Sequence, residues 1–141
     1  MTILEKILKY SPMHISLLMI RLWLGSIMLK HSSAYLFGGK MGEFTNFLTG
    51  LGFPVPETMA YLSQGAEFIT AILIIIGFRF GAIILAFNMA IAVLVAHKLL
   101  IFTEGELAFN YLILALTISL LGTGKYGLDQ IILNRINQSA G

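Results

Sequence analysis

The chain has 141 residues, of which 57% are apolar and 11% are charged. An ordinary soluble domain carries about 25% charged residues, so this composition argues against a soluble enzyme, a nucleic-acid-binding domain and a disordered chain. The net charge of +2 is scattered along the chain, and the absence of cysteine excludes disulfides, thiolate metal sites and cysteine-dependent redox chemistry.

Four long apolar segments follow one another, and each predicts a membrane-spanning helix. The apolar residues are enough for four spans of about 20 residues each. The predicted spans are residues 13–36, 57–77, 79–100 and 106–121. Together they predict an all-α fold, an integral membrane four-helix bundle that forms a single domain over residues 1–141.

Three shorter segments carry apolar residues on one helical face only. They are residues 2–10, 41–51 and 128–136, and we expect each to form a short amphipathic helix at the membrane interface. Pro54 and Pro56 separate the second of these helices from the span that follows, because two closely spaced prolines resist helix.

The distribution of basic residues predicts how the chain sits in the membrane. One side would carry Lys6, Lys9, Arg79, Lys125 and Arg135, and the other side would carry Lys30, Lys40 and Lys98. Because basic loops are retained in the cytoplasm, we expect both termini there. The expected location is the cell membrane, as a multi-pass protein of a bacterial inner membrane.

Polar residues within the spans are costly in lipid, so each should find a partner. At about 1.5 Å per residue, Arg21, Glu67 and Asn88 lie about 12, 15 and 13 Å from the ends of their spans, near the midplane. Gln64 precedes Glu67 by three residues and shares its helix face. We predict an Arg21–Glu67 ion pair that is hydrogen-bonded to Gln64 and Asn88. The pair would serve a function, or it would only clamp the first two spans together.

A second polar layer is predicted nearer the outer surface. His31 and His97 each lie eighteen residues into their spans, about 27 Å from the inner side. Glu106 opens the fourth span on the same side, and we expect it to face inward more readily than Glu104.

The two polar layers define the candidate site. Glu67, His31, His97 and Glu106 are the candidates for acid–base chemistry. The predicted ligand-binding set is Arg21, His31, Gln64, Glu67, Asn88, His97 and Glu106. Two imidazoles at equal depth are compatible with metal or haem ligation, but imidazoles near an interface more often only form hydrogen bonds. We therefore expect neither a metal ion nor haem.

A series of motifs covers most of the chain, from residue 16 to residue 133. They are RLWLGSIMLKHSSAYLFGG at Arg21–Gly39, LGFPVP at Leu51–Pro56, Glu67 in its span, Arg79 after Gly77-Phe78, His97-Lys98, Gly105-Glu106 and GTGKYGLD at Gly122–Asp129. In this order they resemble the DoxX family of small membrane proteins. The resemblance implies a four-helix membrane bundle and a link to electron transfer, since some members are subunits of a quinone-reducing thiosulfate oxidoreductase.

The resemblance also carries over individual residues. By position, the family's polar residues are Arg21, His31, Glu67, His97 and Glu106, which the depth argument also selects. The family usually has Gly and Lys where this chain has Ser32 and Tyr35, and Gly-Pro-Gly where it has Gly122-Thr123-Gly124. The missing lysine puts in doubt a cation that would bind an anionic group there.

Three functions compete at this point. The first is a redox-linked subunit of an oxidoreductase complex that binds a quinone between its helices, and the resemblance favours it. The second is a non-enzymatic membrane assembly or lipid-binding subunit, and the third is a small transporter or proton conductor. Each requires the lipid bilayer and a protein partner or a second copy of the chain, and none requires nucleic acid.

Overall fold

The computed structural model describes residues 1–140, and all regular secondary structure in that range is helical. The helices are α1 Ile3–Lys9, α2 Met13–Leu36, α3 Met41–Gly50, α4 Pro56–Ile76, α5 Arg79–Ile91, α6 Glu106–Leu121 and α7 Leu128–Ser139. The last turn of α5 continues as a π-helical segment, Ala92–Ala96.

The long helices α2, α4, α5 and α6 pack side by side in chain order, and α6 also contacts α2. Each runs opposite to the one before it. Their shared core is almost fully buried and includes Leu24, Met28, Ile74, Leu85 and Ile118. We call the end that holds the start of α2, the α4–α5 turn and the end of α6 the terminal end. The other end is the far end, and α3 packs there against α2 and α4.

Local sequence explains where several helices begin and end. Thr2 and Glu5 form a reciprocal capping box at the start of α1. Pro56 occupies the first turn of α4, where its missing N–H leaves no helical bond unmade. Gly77 ends α4 with φ at 84°, and the N–H groups of Gly77 and Phe78 donate to the carbonyls of Ile74 and Leu73 (3.1 and 2.8 Å). This glycine turn reverses the chain, so that α5 packs back against α4.

Helices α2 and α4 come close together at Gly25. A Cβ added at Gly25 of α2 would lie 2.5 Å from Ile75 Cγ1 and 3.0 Å from the Ala71 carbonyl oxygen. Gly65 of α4 lies on the outward face, beside the exposed Tyr61 and Ile69, and an added Cβ there would meet no atom within 4 Å. Helices α2 and α4 therefore approach each other closely towards the terminal end, where only glycine fits.

The structure confirms an all-helical chain with three candidate membrane-spanning helices. Met13–Leu36, Pro56–Ile76 and Arg79–Ala96 are long and apolar enough to cross a membrane. Helix α6 has the predicted bounds but only 16 residues, a length of about 24 Å against a hydrocarbon core of about 30 Å. The three short helices form at the predicted places, and α7 continues to Ser139.

The third span is shorter than predicted. The sequence favours helix to Leu100, but the α-helix ends at Ile91 and the π-helical segment ends at Ala96, and Lys98 and Leu99 have φ values of 47° and 63°. The N–H of Leu99 turns back to the carbonyl of Val93 (2.9 Å). The apolar run continues past this point, so hydropathy alone places the helix end too late.

Candidate functional site

Arg21 lies at the terminal end, where it binds backbone carbonyl groups. Its Nη1 donates to the carbonyl oxygen of Thr123 (2.7 Å), and its Nη2 donates to those of Ile75 and Tyr126 (both 3.3 Å). The Arg21 side chain is buried. We call Arg21 and these three carbonyl groups the arginine clamp, because they join α2 to the end of α4 and to the α6–α7 connection.

Asp129 reinforces the same end of the molecule. Its carboxylate accepts hydrogen bonds from the backbone N–H of Arg79 (3.0 Å) and from Thr123 Oγ1 (3.1 Å). Its own N–H donates to the carbonyl of Gly77 (3.1 Å). The motif GTGKYGLD thus packs against the α4–α5 turn, and it closes the terminal end with backbone partners.

The predicted Arg21–Glu67 ion pair is wrong. Arg21 lies beside Gly77, whereas Glu67 lies beside His31. Ten residues separate the two sites on each helix, which corresponds to about 15 Å. The depth estimate assumed that α2 begins and α4 ends at the same membrane plane, but the start of α2 extends about two turns beyond the end of α4.

Glu67 is buried within a hydrogen-bonded group of side chains from three helices. His31 Nδ1 and Glu67 Oε2 are 3.1 Å apart, and Asn88 Nδ2 donates to Glu67 Oε1 (3.1 Å). Ser63 Oγ donates to Asn88 Oδ1 (3.3 Å). We call these four residues the Glu67 network. With Glu67 as a carboxylate, His31 carries its proton on Nδ1 and leaves Nε2 free.

The Glu67 network lines a cavity of about 660 Å³ that extends towards the far end. Helices α2, α3, α4, α5 and α6 all contribute to its wall, as does the π-helical segment. Most of the wall is apolar and includes Met28, Phe44, Phe47, Phe87, Met89 and Leu107. This volume falls within the range of sites that bury a small organic ligand.

Aromatic rings connect the Glu67 network with α3. The ring centroids of His31 and Tyr35 are 5.0 Å apart, and those of Tyr35 and Phe44 are 5.3 Å apart. Both distances are typical of favourable aromatic contacts. Helix α3 is therefore part of the site, and its Phe44 and Phe47 form one side of the cavity.

Most of the predicted ligand-binding residues meet at this cavity. His31, Gln64, Glu67, Asn88 and His97 all line it. Gln64 does not join the Glu67 network as predicted. It is 1% exposed, and its Oε1 has no hydrogen-bond partner within residues 1–140.

Two predicted residues lie outside the cavity wall. Arg21 belongs to the arginine clamp, and Glu106 is an exposed residue in the first turn of α6. Glu104, in the preceding turn, lines the cavity in its place. Helical periodicity does not extend into this turn, so the sequence gives no signal that separates the two glutamates.

The charged residues of the cavity wall are acidic, which the sequence did not predict. Glu43, Glu67 and Glu104 line it, whereas no Lys or Arg of residues 1–140 does. Lys30, Lys40 and Lys98 lie near this end of the molecule, but none of them lines the cavity. In the same range, no three His, Cys, Asp or Glu side chains are grouped so that they could hold a metal ion.

Comparison with known proteins gives one family. The sequence model of the DoxX family matches residues 16–98, which is more than half of the chain. The matched region runs from α2 through the π-helical segment, and it contains all four residues of the Glu67 network. No curated protein and no solved structure matches the chain.

Proposed function

The chain belongs to the DoxX family, and on that premise we propose that it is a redox-linked membrane subunit whose cavity binds a quinone-type ring. In this proposal a partner oxidoreductase exchanges electrons with the ring. The chain itself binds the ring and supplies groups that carry protons.

The observation that carries the proposal is the combination of an apolar cavity with a buried acid–base pair. A quinone ring needs an apolar slot together with a few polar groups that hydrogen-bond its oxygens. The cavity of about 660 Å³ offers aromatic and aliphatic walls and the polar groups of His31, Gln64, Glu67 and His97.

Interconversion of a quinone and a hydroquinone involves two protons as well as two electrons. His31 is well suited to proton exchange, because Glu67 holds its Nδ1–H and leaves Nε2 free. Asn88 fixes the other carboxylate oxygen of Glu67, and Ser63 in turn fixes Asn88. This arrangement would orient the imidazole in the way that a buried carboxylate orients a catalytic histidine.

The proposed topology has four crossings with both termini in the cytoplasm of a bacterial cell. Helix α6 would complete the four-helix membrane bundle, because it packs along α5 and contacts α2. Arg79 and Lys125 lie at the terminal end, and Lys6, Lys9 and Arg135 belong to the helices that continue from it, which supports a cytoplasmic terminal end. The cavity would then lie towards the outer half of the bilayer.

Mass spectrometry of the protein purified in mild detergent tests the proposal directly. We expect a bound quinone or hydroquinone, and we expect the ring to bind again after it is removed. Glu67→Gln and His97→Ala should weaken binding of the ring by at least about tenfold, since the first removes the carboxylate that orients His31 and the second removes an imidazole from the cavity wall. Glu106→Gln is the matched control, because Glu106 lies outside the wall.

The other functions are outcomes of the same experiment. A phospholipid bound in place of the ring, and bound equally well by the Glu67→Gln variant, would favour the lipid-binding or assembly function. Proton flux through proteoliposomes that depends on Glu67, without any bound ring, would favour the conductor. Either result would contradict the quinone proposal.

A further inference from the structure

The cavity reaches the outer surface of the helix bundle between α4 and α5. Three residues of its wall, Leu62, Ile84 and Phe87, expose 61, 46 and 70% of their surface, and Ile91 of the wall is also exposed. Residues that line a cavity and are exposed on the outside mark the place where the cavity opens. We call the gap bordered by these four residues the lateral opening.

Each of the two helices contributes one apolar stripe to the lateral opening. Leu62 and Ala66 lie four residues apart on α4 and share one helix face. Ile84, Phe87 and Ile91 lie three and four residues apart on α5 and share another. The lateral opening is therefore a groove with apolar walls on both sides.

The Glu67 network begins directly beside this groove. Ser63 follows Leu62 on α4, and Asn88 follows Phe87 on α5. Ser63 Oγ donates to Asn88 Oδ1 (3.3 Å), and Asn88 Nδ2 donates to Glu67 Oε1 (3.1 Å). A ligand that contacts the Glu67 network thus lies next to the lateral opening.

The depth of the lateral opening decides what lies outside it. Helices α4 and α5 are two of the three candidate membrane-spanning helices. Leu62 lies about 9 Å from the far end of α4, and Ile84 lies about 8 Å from the terminal end of α5. The groove between them therefore faces the middle of the hydrocarbon core, which is about 30 Å thick, and it opens towards lipid acyl chains.

The far end of the same cavity has the opposite character. Glu43 and Glu104 line the cavity there, and both are exposed. An apolar chain that left the cavity past these carboxylates would remove them from water, which is costly. At the lateral opening the same chain would contact only apolar side chains and lipid. The cavity thus offers separate exits for polar and apolar parts of a ligand.

We propose that the ligand of the cavity is a ring that carries a long apolar tail, and that it enters from the bilayer through the lateral opening. The tail then stays between α4 and α5, on Leu62, Ile84 and Phe87, while the ring lies beside His31 and Glu67. This inference rests on the proposed function, because it names the class of quinone-type ring that the site takes.

Two neighbouring isoleucines of α5 give a matched pair of variants. Ile84 and Ile83 are exposed by 46 and 44%, but only Ile84 lines the cavity. Ile84→Trp places a bulky side chain in the lateral opening, and Ile83→Trp places the same side chain on the lipid-facing surface beside it. Two quinone probes with the same ring, one bearing a methyl group and the other a decyl tail, are titrated against the full chain in lipid nanodiscs.

The two variants should respond differently to the two probes. Ile84→Trp should weaken binding of the tailed probe about tenfold, and it should change binding of the tailless probe by less than about twofold. Ile83→Trp should bind both probes as the wild type does. Because the lipid is the same in every sample, partitioning of the tailed probe into the bilayer cancels when a variant is compared with the wild type.

A second measurement needs no substitution. The tailed probe carries a diazirine at the middle of its tail, and the peptides that it labels on irradiation of the wild type are identified by mass spectrometry. We expect labels on α4 and α5 around Leu62 and Phe87, and none on α3.

The results that would overturn this inference are distinct from those that would overturn the proposed function. Ring binding that Ile84→Trp weakens equally for both probes, or for neither, would contradict the lateral opening alone, as would labels on α3 in place of α4 and α5. A wild type that binds neither probe would contradict the proposed function, and this inference with it.

Discussion

The arginine clamp and the Glu67 network are two buried polar groups on the same pair of helices, about 15 Å apart, and their partners differ in kind. Arg21 binds backbone carbonyl groups, which the fold itself holds in place. Glu67 binds side chains from α2 and α5 and lines a cavity of about 660 Å³. The arginine clamp joins backbone segments of the fold, whereas the Glu67 network lies at a cavity, where the proposed function places a ligand.

Close helix packing and the cavity lie beside different polar groups. Gly25 allows close contact with Ile75 and the Ala71 carbonyl near the arginine clamp, whereas the Glu67 network lines the cavity. An intramembrane charge therefore marks a functional site only when its partners and surroundings allow one.

The largest effect is expected from Arg21→Met. The substitution leaves three carbonyl oxygens, of Ile75, Thr123 and Tyr126, without their donor, and it should lower the free energy of unfolding by about 3 kcal/mol. Denaturant unfolding in mixed micelles measures the change. Arg79→Met is the control, because Arg79 is exposed at the same end, and it should change stability by less than about 0.5 kcal/mol.

Glu67→Gln should have a smaller effect on stability, although Glu67 is buried like Arg21. The glutamine amide can still accept from Asn88 or His31, so we expect a loss of about 1 kcal/mol in the same unfolding experiment. If Glu67→Gln destabilises the protein as much as Arg21→Met does, the division between a structural and a functional polar group fails.

Two glycines test how closely α2 and α4 pack beside the arginine clamp. Gly25→Ala places a methyl group against Ile75 and the Ala71 carbonyl, and it should destabilise the protein by about 1 kcal/mol or more. Gly65→Ala is the control on the outward face of α4, and it should be neutral or stabilising, because its methyl group has open space and alanine favours helix. Equal effects on melting temperature would show that Gly25 is not at a close contact between α2 and α4.

The smallest effect is expected from the two glutamates near the α5–α6 turn. Glu104→Gln removes a charge from the cavity wall and should change the affinity for a ring-shaped ligand about two- to threefold, with greater effect at low salt. Glu106→Gln should leave affinity unchanged. A stronger effect at Glu106 than at Glu104 would mean that Glu106, and not Glu104, borders the cavity.

Much of the helical framework follows from the sequence, because long apolar runs and glycine or proline breaks have direct structural causes. Helix α6 begins and ends where the pattern predicts, and α2 and α4 do so within one residue. His31, Gln64, Glu67, Asn88 and His97 were predicted in two polar layers of one candidate site, and they line one cavity.

The partners of Arg21 and Glu67 could not be predicted in the same way. Depth along a span does not give the axial offset between two neighbouring helices. The offset between α2 and α4 places Arg21 beside Gly77 and not beside Glu67. A search for partner side chains also leaves out backbone carbonyl groups. The acceptors of the arginine clamp, at Ile75, Thr123 and Tyr126, therefore had no signal in the sequence.

The π-helical segment Ala92–Ala96 has a consequence for the placement of His97. The N–H of His97 bonds to the carbonyl of Ala92, five residues back, where a regular helix would use Val93. One residue corresponds to about 100° of rotation around a helix axis. With the last turn wound as a regular helix, the imidazole would point in another direction. In related chains of this architecture, the insertion or deletion of a single residue in this segment would therefore be enough to turn the imidazole into or out of the cavity wall. The histidine itself would not have to be substituted.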